Sequence, residues 1–408
     1  MAGLLLAPGP LAAGSLDVHG LAAARGVWTR GQASWLEGGF GRLSEGAGSP
    51  EEEETTARGQ LQLGLDWNPS LTWRVHAHGV LWGEPSSYGG QRAGLSEAFV
   101  QFRPELSPTA TLRLRAGTFF SGTSLENTEP LWQSPYTLTF SALNTWLGEE
   151  VRLTGLDAQA NLRLGAADEL DVAGAAFGVN DTAGTLIAWR GWALGDRLAS
   201  VGERLPLPPL RSLAPSGAFA DQRPDTRPID ELDGRVGWQS RLRWSRPGTA
   251  LVQLAYFDGR GDRDEYRRQY AWRTTSLSAG LQLQLGRSLI LISEAAQGDT
   301  GMGLPQPAPA RVDVRYRVGY ALLSWSRGRW RVSARYDRFR NQEKDGSAEP
   351  NGESGWAATA ALLWRPAERL RLGAEYLELR AQRPAAAYSG ADPDTNARRL
   401  LLEARLIF

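Results

Sequence analysis

Residues 60–82 read QLQLGLDWNPSLTWRVHAHGVLW. Leu61, Leu63, Leu65 and Trp67 fall on one face of an extended chain, and Leu71, Trp73, Val75, Ala77, Gly79 and Leu81 fall on one face of the next. A period of two residues belongs to the β-strand, whose successive side chains point to opposite sides. Only Asn68-Pro69-Ser70 separates the two runs, a length and chemistry that fold a hairpin.

The same unit recurs along the chain. Residues 235–244 and 249–257 meet at Ser245-Arg246-Pro247-Gly248, residues 274–285 and 289–295 at Gly286-Arg287-Ser288, residues 314–325 and 329–339 at Ser326-Arg327-Gly328, and residues 356–364 and 370–379 at 365–368. The opposite ends of these strands lead into long polar segments: 29–56, 83–92, 258–268, 297–310, 340–355 and 381–396. Tight turns and long loops therefore alternate. Counted from Ser15, the pattern closes at about sixteen antiparallel strands with both termini on the short-turn side, as a transmembrane up-and-down β-barrel with short periplasmic turns and long extracellular loops requires. This count takes residues 179–231 as one long surface loop. Reading 184–193 as a strand gives about eighteen, but its partner would lie in a Pro-rich stretch unsuited to an interior strand. A propeller would show a repeat of roughly 40 residues, which is absent.

Composition agrees with an all-β chain: the 408 residues include 47 Gly, 16 Trp and 10 Tyr. Lys+Arg 45 balances Asp+Glu 45, so no overall field seeks a polyanion, and nucleic acid is not an expected partner. The absence of cysteine excludes a disulfide framework and thiolate chemistry. No apolar run reaches the roughly 18 residues of a membrane-crossing helix. Residues 1–13 resemble the apolar part and small-residue cleavage end of a secretory signal, leaving 14–408 as a single barrel domain.

Periodicity cannot say whether the apolar face meets lipid or a dry core; aromatic placement decides. Trp67, Trp73, Trp244, Trp330, Trp364 and Phe408 fall at short-turn ends, and Trp28, Trp82 and Trp356 at long-loop ends. Two aromatic girdles suit the two headgroup levels of a bilayer.

The chain ends on ARRLLLEARLIF, a strictly alternating strand closed by an aromatic residue. With the loop asymmetry and the stretch LSEAFVQFRP…LRLRAGTFF, it resembles the Gram-negative outer-membrane porins of the general and phosphate-selective types over essentially its whole length. The resemblance is one of architecture. It implies residence in the outer membrane, contact with lipid and lipopolysaccharide, a homotrimer, and passive diffusion of small hydrophilic solutes. It also implies that Leu402, Leu406 and Phe408 belong to the signal read by the barrel assembly machinery. The phosphate-selective relatives depend on pore lysines; Lys344 is the only lysine here, so phosphate specificity does not carry over.

In such a barrel the polar face lines the lumen. Its phase assigns Arg74, Arg113, Arg115, Arg152, Arg241, Arg243, Arg315, Arg317, Arg331, Arg335, Arg371, Arg399 and Arg405 to an arginine-rich wall that would favour anions mildly. Cross-strand pairing of those arginines with carboxylates, such as Asp313 and Asp337, is the competing structural role. The third long connection, around 119–148, is too apolar for a dangling loop. By the resemblance it folds inward as a constriction, placing Glu126, Asn127, Glu129, Trp132 and Tyr136 at the narrowing.

Other motifs carry less. Asp258, Asp262, Asp264 and Glu265 miss the spacing of a calcium loop and read as a solvated loop. His76 and His78 share a face without an evident third ligand, and read as lumen lining rather than a metal pair. No nucleophile elbow or phosphate loop occurs, so neither a cofactor nor catalysis is expected. One alternative reading is a substrate-specific outer-membrane channel for an anion or for a sugar or oligosaccharide. A soluble all-β binding protein is another, and a barrel hydrolase would need His78 at the outer rim.

Overall fold

The computed structural model describes residues 14–83, 91–303, 311–347 and 349–408. The signal-like segment 1–13 lies outside them. The wall consists of β1 (Ser15–Arg30), β2 (Glu53–Asn68), β3 (Trp73–Trp82), β4 (Ala93–Phe102, continued at Glu105–Ser107), β5 (Ala110–Phe120), β6 (Arg152–Leu164), β7 (Asp168–Gly178), β8 (Gly237–Arg246), β9 (Ala250–Asp258), β10 (Arg273–Gln284), β11 (Leu289–Met302), β12 (Val312–Arg327), β13 (Trp330–Glu343), β14 (Glu353–Ala367), β15 (Leu370–Gln382) and β16 (Asp394–Ile407). Each pairs antiparallel with its neighbour, and β16 returns to β1 in the register Ile407 to Leu21 and Arg398 to Arg30. Closure removes the free edge that an open sheet would expose to lipid. Phe408 completes the seam, donating its N–H to the Gly20 carbonyl at 3.0 Å and accepting the Gly20 N–H at 2.7 Å.

Strand β7 pairs directly with β8, Phe177 opposite Gly237, so residues 179–236 add nothing to the wall. The count is sixteen. Tight turns such as Ser326–Arg329 reverse the chain where glycine takes the left-handed region, Gly328 at φ +60° and Gly248 at +72°.

The apolar stripes lie outside. Leu61, Leu63, Leu65 and Trp67 are 38%, 39%, 38% and 51% exposed, while Gln60 and Gln62 on the alternate face are 5% and 0%. One aromatic belt follows the short-turn rim, where the rings of Trp73 and Phe102 lie 4.7 Å apart and those of Trp330 and Trp364 stack at 5.3 Å. A second belt contains Trp238 with Tyr256 at 4.9 Å and Tyr336 with Trp356 at 6.1 Å. Trp356 and Trp364 share the outer face of β14. Their eight-residue offset is roughly 26 Å of strand, which a tilt of about 40° reduces to about 20 Å, close to the thickness of an apolar band. Trp82 departs from expectation: it points inward, buried beneath the guanidinium of Arg197, so it belongs to no girdle.

Above the apolar band the meaning of the two faces reverses. On β12 the inward residues are Val312, Val314, Tyr316, Val318 and Tyr320, all buried, whereas Arg315 and Arg317 are exposed on the outside. The expectation that Arg315 and Arg317 line the lumen is therefore corrected, and Asp313 shares their face. The physical cause is an apolar core inside the upper barrel, where Trp146, Trp192, Leu143, Val318, Phe339 and Leu379 pack together. A strand of 16 residues outruns the roughly 9–11 needed to cross a bilayer, so its outer end lies at the headgroup level, where arginine is solvated.

Candidate functional site: the filled lumen

Two long loops occupy the inside of the barrel. The third, residues 121–151, enters from β5 and ends in α1 (Ala142–Glu150), whose start is capped by Ser141, its Oγ accepting the Asn144 N–H at 3.2 Å. All nine residues of the helix are buried. The wall clamps this loop with charge. Arg335 on β13 donates to Glu126 Oε1 at 2.7 Å, to the carbonyls of Thr139 (2.7 Å) and Phe140 (2.9 Å), and to Asp337 at 2.8 Å. Glu375 on β15 accepts the backbone N–H of Leu138 (2.6 Å) and Thr139 (3.2 Å), and Asp337 accepts that of Ala142 at 3.0 Å. The loop tip holds Leu131 and Trp132 in the left-handed region, φ 60° and 56°, a strain that surrounding contacts must stabilise. Trp132 stacks on Phe120 with ring centroids 4.6 Å apart, and Asn127 donates to its carbonyl at 2.9 Å.

The fourth loop spans residues 179–236, of which 179–231 read from the sequence as a surface loop. Instead, residues 180–200 are buried inside the barrel. The segment follows the inner circumference in strand order. The Ala183 carbonyl accepts from Thr274 on β10. Trp192 donates its indole N–H to Asn341 on β13 (2.8 Å) and its backbone N–H to Glu353 on β14 (3.0 Å). Asp196 accepts from Arg25 on β1 (2.5 Å) and Arg58 on β2 (3.1 Å), and Ala199 accepts from Ser96 on β4 (3.2 Å). Backbone hydrogen bonds tie it to the third loop, Phe140 N–H to Gly195 at 2.9 Å and Ala199 N–H to Gly148 at 2.9 Å. Its apolar run, Leu186, Ile187, Trp189, Trp192 and Leu194, explains the burial: these side chains join cores that no exposed loop could supply.

Ionisable groups hold this packing. Burial would raise the Asp196 carboxyl, but Arg25 and Arg58 together keep it below its ordinary value. Glu150 at the end of α1 is pushed up to about 7 by burial, despite accepting the N–H groups of Gly184 and Leu186 at 2.9 Å and the Trp146 indole at 2.7 Å. Among the described residues no ion pair reaches it, and Arg190 acts on it only at longer range.

The predicted lumen arginines divide into three groups. Arg335 is a buried clamp, and Arg152 is another, donating to the carbonyls of Gly148 (3.0 Å) and Ala199 (2.9 Å) with its guanidinium 3.4 Å over Phe120. Arg113, Arg115, Arg74 and Arg331 stay partly exposed on the inner face of the wall. Arg113 and Arg115 share Asp157 at 3.2 Å and 2.9 Å, Arg331 lies 5.0 Å over Tyr136, and Arg74 donates to Asn68 at 3.2 Å. Arg315 and Arg317 face outward. Of the loop residues, Glu126 is buried against Arg335, and Glu129 binds Arg365 at 2.5 Å.

Sequence reading places Arg113, Arg115, Arg241 and Arg243 on the lumen face but does not join them into one charged patch. Arg241 and Arg243 on β8 join Arg113 and Arg115 on β5, facing Asp157 and Asp171 from β6 and β7, with Glu294 of β11 also within electrostatic reach of Arg243. Arg241 donates to Gln159 at 2.8 Å, and both Arg241 and Arg243 reach the Gly122 carbonyl where the third loop begins. Four guanidinium groups thus outnumber the three carboxylates that act on them, and the surplus remains on the wall. The signal that could have found it is the Arg-x-Arg pair in both RLR runs, 113–115 and 241–243. Asp196 carries no comparable signal, because its partners lie more than 130 residues away. His78, which a rim hydrolase would need exposed, is fully buried and bonded to Gln62 at 3.0 Å.

The fold defined by this closed sixteen-stranded wall and inwardly folded third loop is that of the outer-membrane porins. No protein-family model matches the sequence, and no curated protein matches it. Solved structures match over nearly the whole chain. An anion-selective porin from Comamonas acidovorans superposes with TM-score 0.54 at 10% identity, covering 97% of this chain and 99% of its own. The outer membrane channel DcaP of Acinetobacter baumannii gives 0.54 at 10% identity, covering 97% of each chain, and Salmonella typhi OmpF in complex with daunomycin gives 0.55 at 11%, covering 96% and 97%.

Proposed function

We propose that this chain is an outer-membrane channel of a Gram-negative bacterium that admits small hydrophilic solutes by passive diffusion, with a mild preference for anions. The observation that carries the reading is the surplus of positive charge where Arg113, Arg115, Arg241 and Arg243 meet Asp157 and Asp171 beside the third loop. Such a patch lowers the electrostatic cost of an anion in the narrowed passage and raises that of a cation. The third loop is the constriction of this channel. Leu402, Leu406 and Phe408 serve its delivery by the barrel assembly machinery, lipid and lipopolysaccharide surround it, and three copies form the working unit.

A planar bilayer with a tenfold KCl gradient tests the selectivity. The reversal potential is expected on the chloride side, moving toward zero in Arg241→Gln/Arg243→Gln. A potassium-favouring potential in the parent protein would refute the anion preference.

A substrate-specific channel is the second reading, favoured by the depth to which residues 180–200 fill the barrel. Liposome swelling separates the two: a diffusion channel passes sugars graded by size alone, and a specific one departs from that order.

A further inference from the structure

At and just above the second aromatic belt, the outer face of β12–β16 carries polar side chains in two rows. The upper row sets Arg317, Arg340, Ser354 and Gln382 opposite one another on successive strands. The lower row does the same with Arg338, Trp356, Arg380 and Asn396. Below them the surface changes character. The next row begins with Ala321, Tyr336 and Ala358, and the one after it, Leu323, Ala334, Ala360, Tyr376 and Leu400, carries no charge.

The charges of the two rows do not balance. Arg317 and Arg340 stand directly across from each other, and Arg338 lies on the diagonal from Arg317. All three are exposed, and among the described residues none of them has an ion pair or a side-chain hydrogen bond. The carboxylates nearby are already engaged: Asp299 with Arg315 at 3.1 Å and Lys344 at 3.4 Å, Glu378 with Arg380 at 2.8 Å, and Asp394 with Gln382 at 3.0 Å. Like charges directly opposite in a sheet repel, and beside a hydrocarbon layer water screens that repulsion less than in bulk. Three adjacent guanidinium groups at this height therefore call for an anion from outside the chain. Next to them runs a groove of about 420 Å³ whose lining includes Arg338, Ser354, Trp356, Arg380, Asp394 and Asn396. The Arg380 guanidinium lies 5.6 Å over the Trp356 ring.

We propose that this face is a binding site for the phosphorylated headgroup of an outer-leaflet glycolipid. The phosphate bridges Arg317, Arg338 and Arg340, whose planar donor forks match phosphate oxygens. The sugar that carries it lies in the groove against Trp356, with Arg380 and Asn396 as donors. The acyl chains pass over the small side chains of Ala321, Ala334, Ala358 and Ala360 into the apolar band. Height argues for a lipid: the arginines begin one to two rows above the uncharged surface, where a molecule with its tails in the band presents its headgroup. The site rests on the outer-membrane setting proposed above and adds to it the residues that hold one lipid in a fixed place.

Native mass spectrometry of the folded, detergent-solubilised chain, titrated with diphosphorylated lipid A, reads the site directly. One retained lipid per chain is expected, with dephosphorylated lipid A held about tenfold less tightly or weaker still. Arg317→Gln, Arg338→Gln and Arg340→Gln are each expected to weaken retention by about tenfold. Arg287→Gln, in a short turn at the opposite rim, should leave it unchanged. Unboiled gel migration verifies that each variant still closes its barrel. Equal retention of the two lipids would overturn the proposal, as would retention that survives Arg317→Gln/Arg340→Gln. Full displacement of the lipid by millimolar inorganic phosphate would overturn the glycolipid as occupant and leave a site for a soluble anion. Planar-bilayer conductance keeps the two readings apart: the double variant should conduct as the parent does, whereas a parent that does not conduct fails the channel reading alone.

Discussion

Replacing Asp196 with alanine tests whether the fourth loop is a strap held by charge. Asp196 sits between Arg25 at 2.5 Å and Arg58 at 3.1 Å, with all three side chains at most 4% exposed. Removing one member of a buried ion pair costs about 3–5 kcal/mol, because the remaining charge loses its compensation. The lower end applies here, since Arg25 keeps Glu403 at 2.8 Å and Arg58 keeps Glu45 at 2.6 Å. A loss of about 3 kcal/mol changes the ratio of docked to undocked strap by roughly a hundredfold. Trypsin reports that ratio. Arg190 and Arg197 lie in the strap, 2% and 7% exposed, and are cut only when it leaves the wall. When reclosing outruns cleavage, the cutting rate follows the undocked population. Asp196→Ala should therefore be cleaved after Arg190 and Arg197 roughly a hundred times faster than the parent, by the same arithmetic, while unboiled gel migration still reports an intact barrel. Equal cleavage rates would refute the reasoning and show that the strap is held by its apolar packing alone.

Two further outcomes follow from the same geometry. Glu150 is raised to about 7 in the folded protein, so docking of the third loop against Gly184 and Leu186 is favoured below the ordinary carboxylate value and weakens as pH rises from about 4.5 through 7. Tryptic cutting after Arg190 should accordingly increase between pH 5 and 8, and Glu150→Gln should flatten that profile; an unchanged slope in the variant would locate the titration elsewhere. Leu362, 43% exposed on the outer face of β14 between Trp356 and Trp364, lies in the apolar band. Leu362→Arg should cost about 2–4 kcal/mol in reversible unfolding from lipid, whereas a cost near zero would mean that this face meets water.

The strand content, the alternation of short turns with long loops, the sixteen-strand closure and the direction of the apolar stripes were all legible in the chain. They depend on local relations: a two-residue period, a tight turn, an aromatic at a strand end. Residues 60–82 carry nearly the whole argument, and the structure turns Leu61, Leu63 and Leu65 outward as that period demands. What fills the lumen depended on tertiary structure. Asp196 meets Arg25 and Glu126 meets Arg335 only when segments 171 and 209 residues apart are brought together, and no local period encodes such meetings. The same cause misled the phase of Arg315 and Arg317. Polarity along a strand states which side is wet, but which side that is depends on what stands inside, and here Trp146 and Trp192 make the upper interior dry.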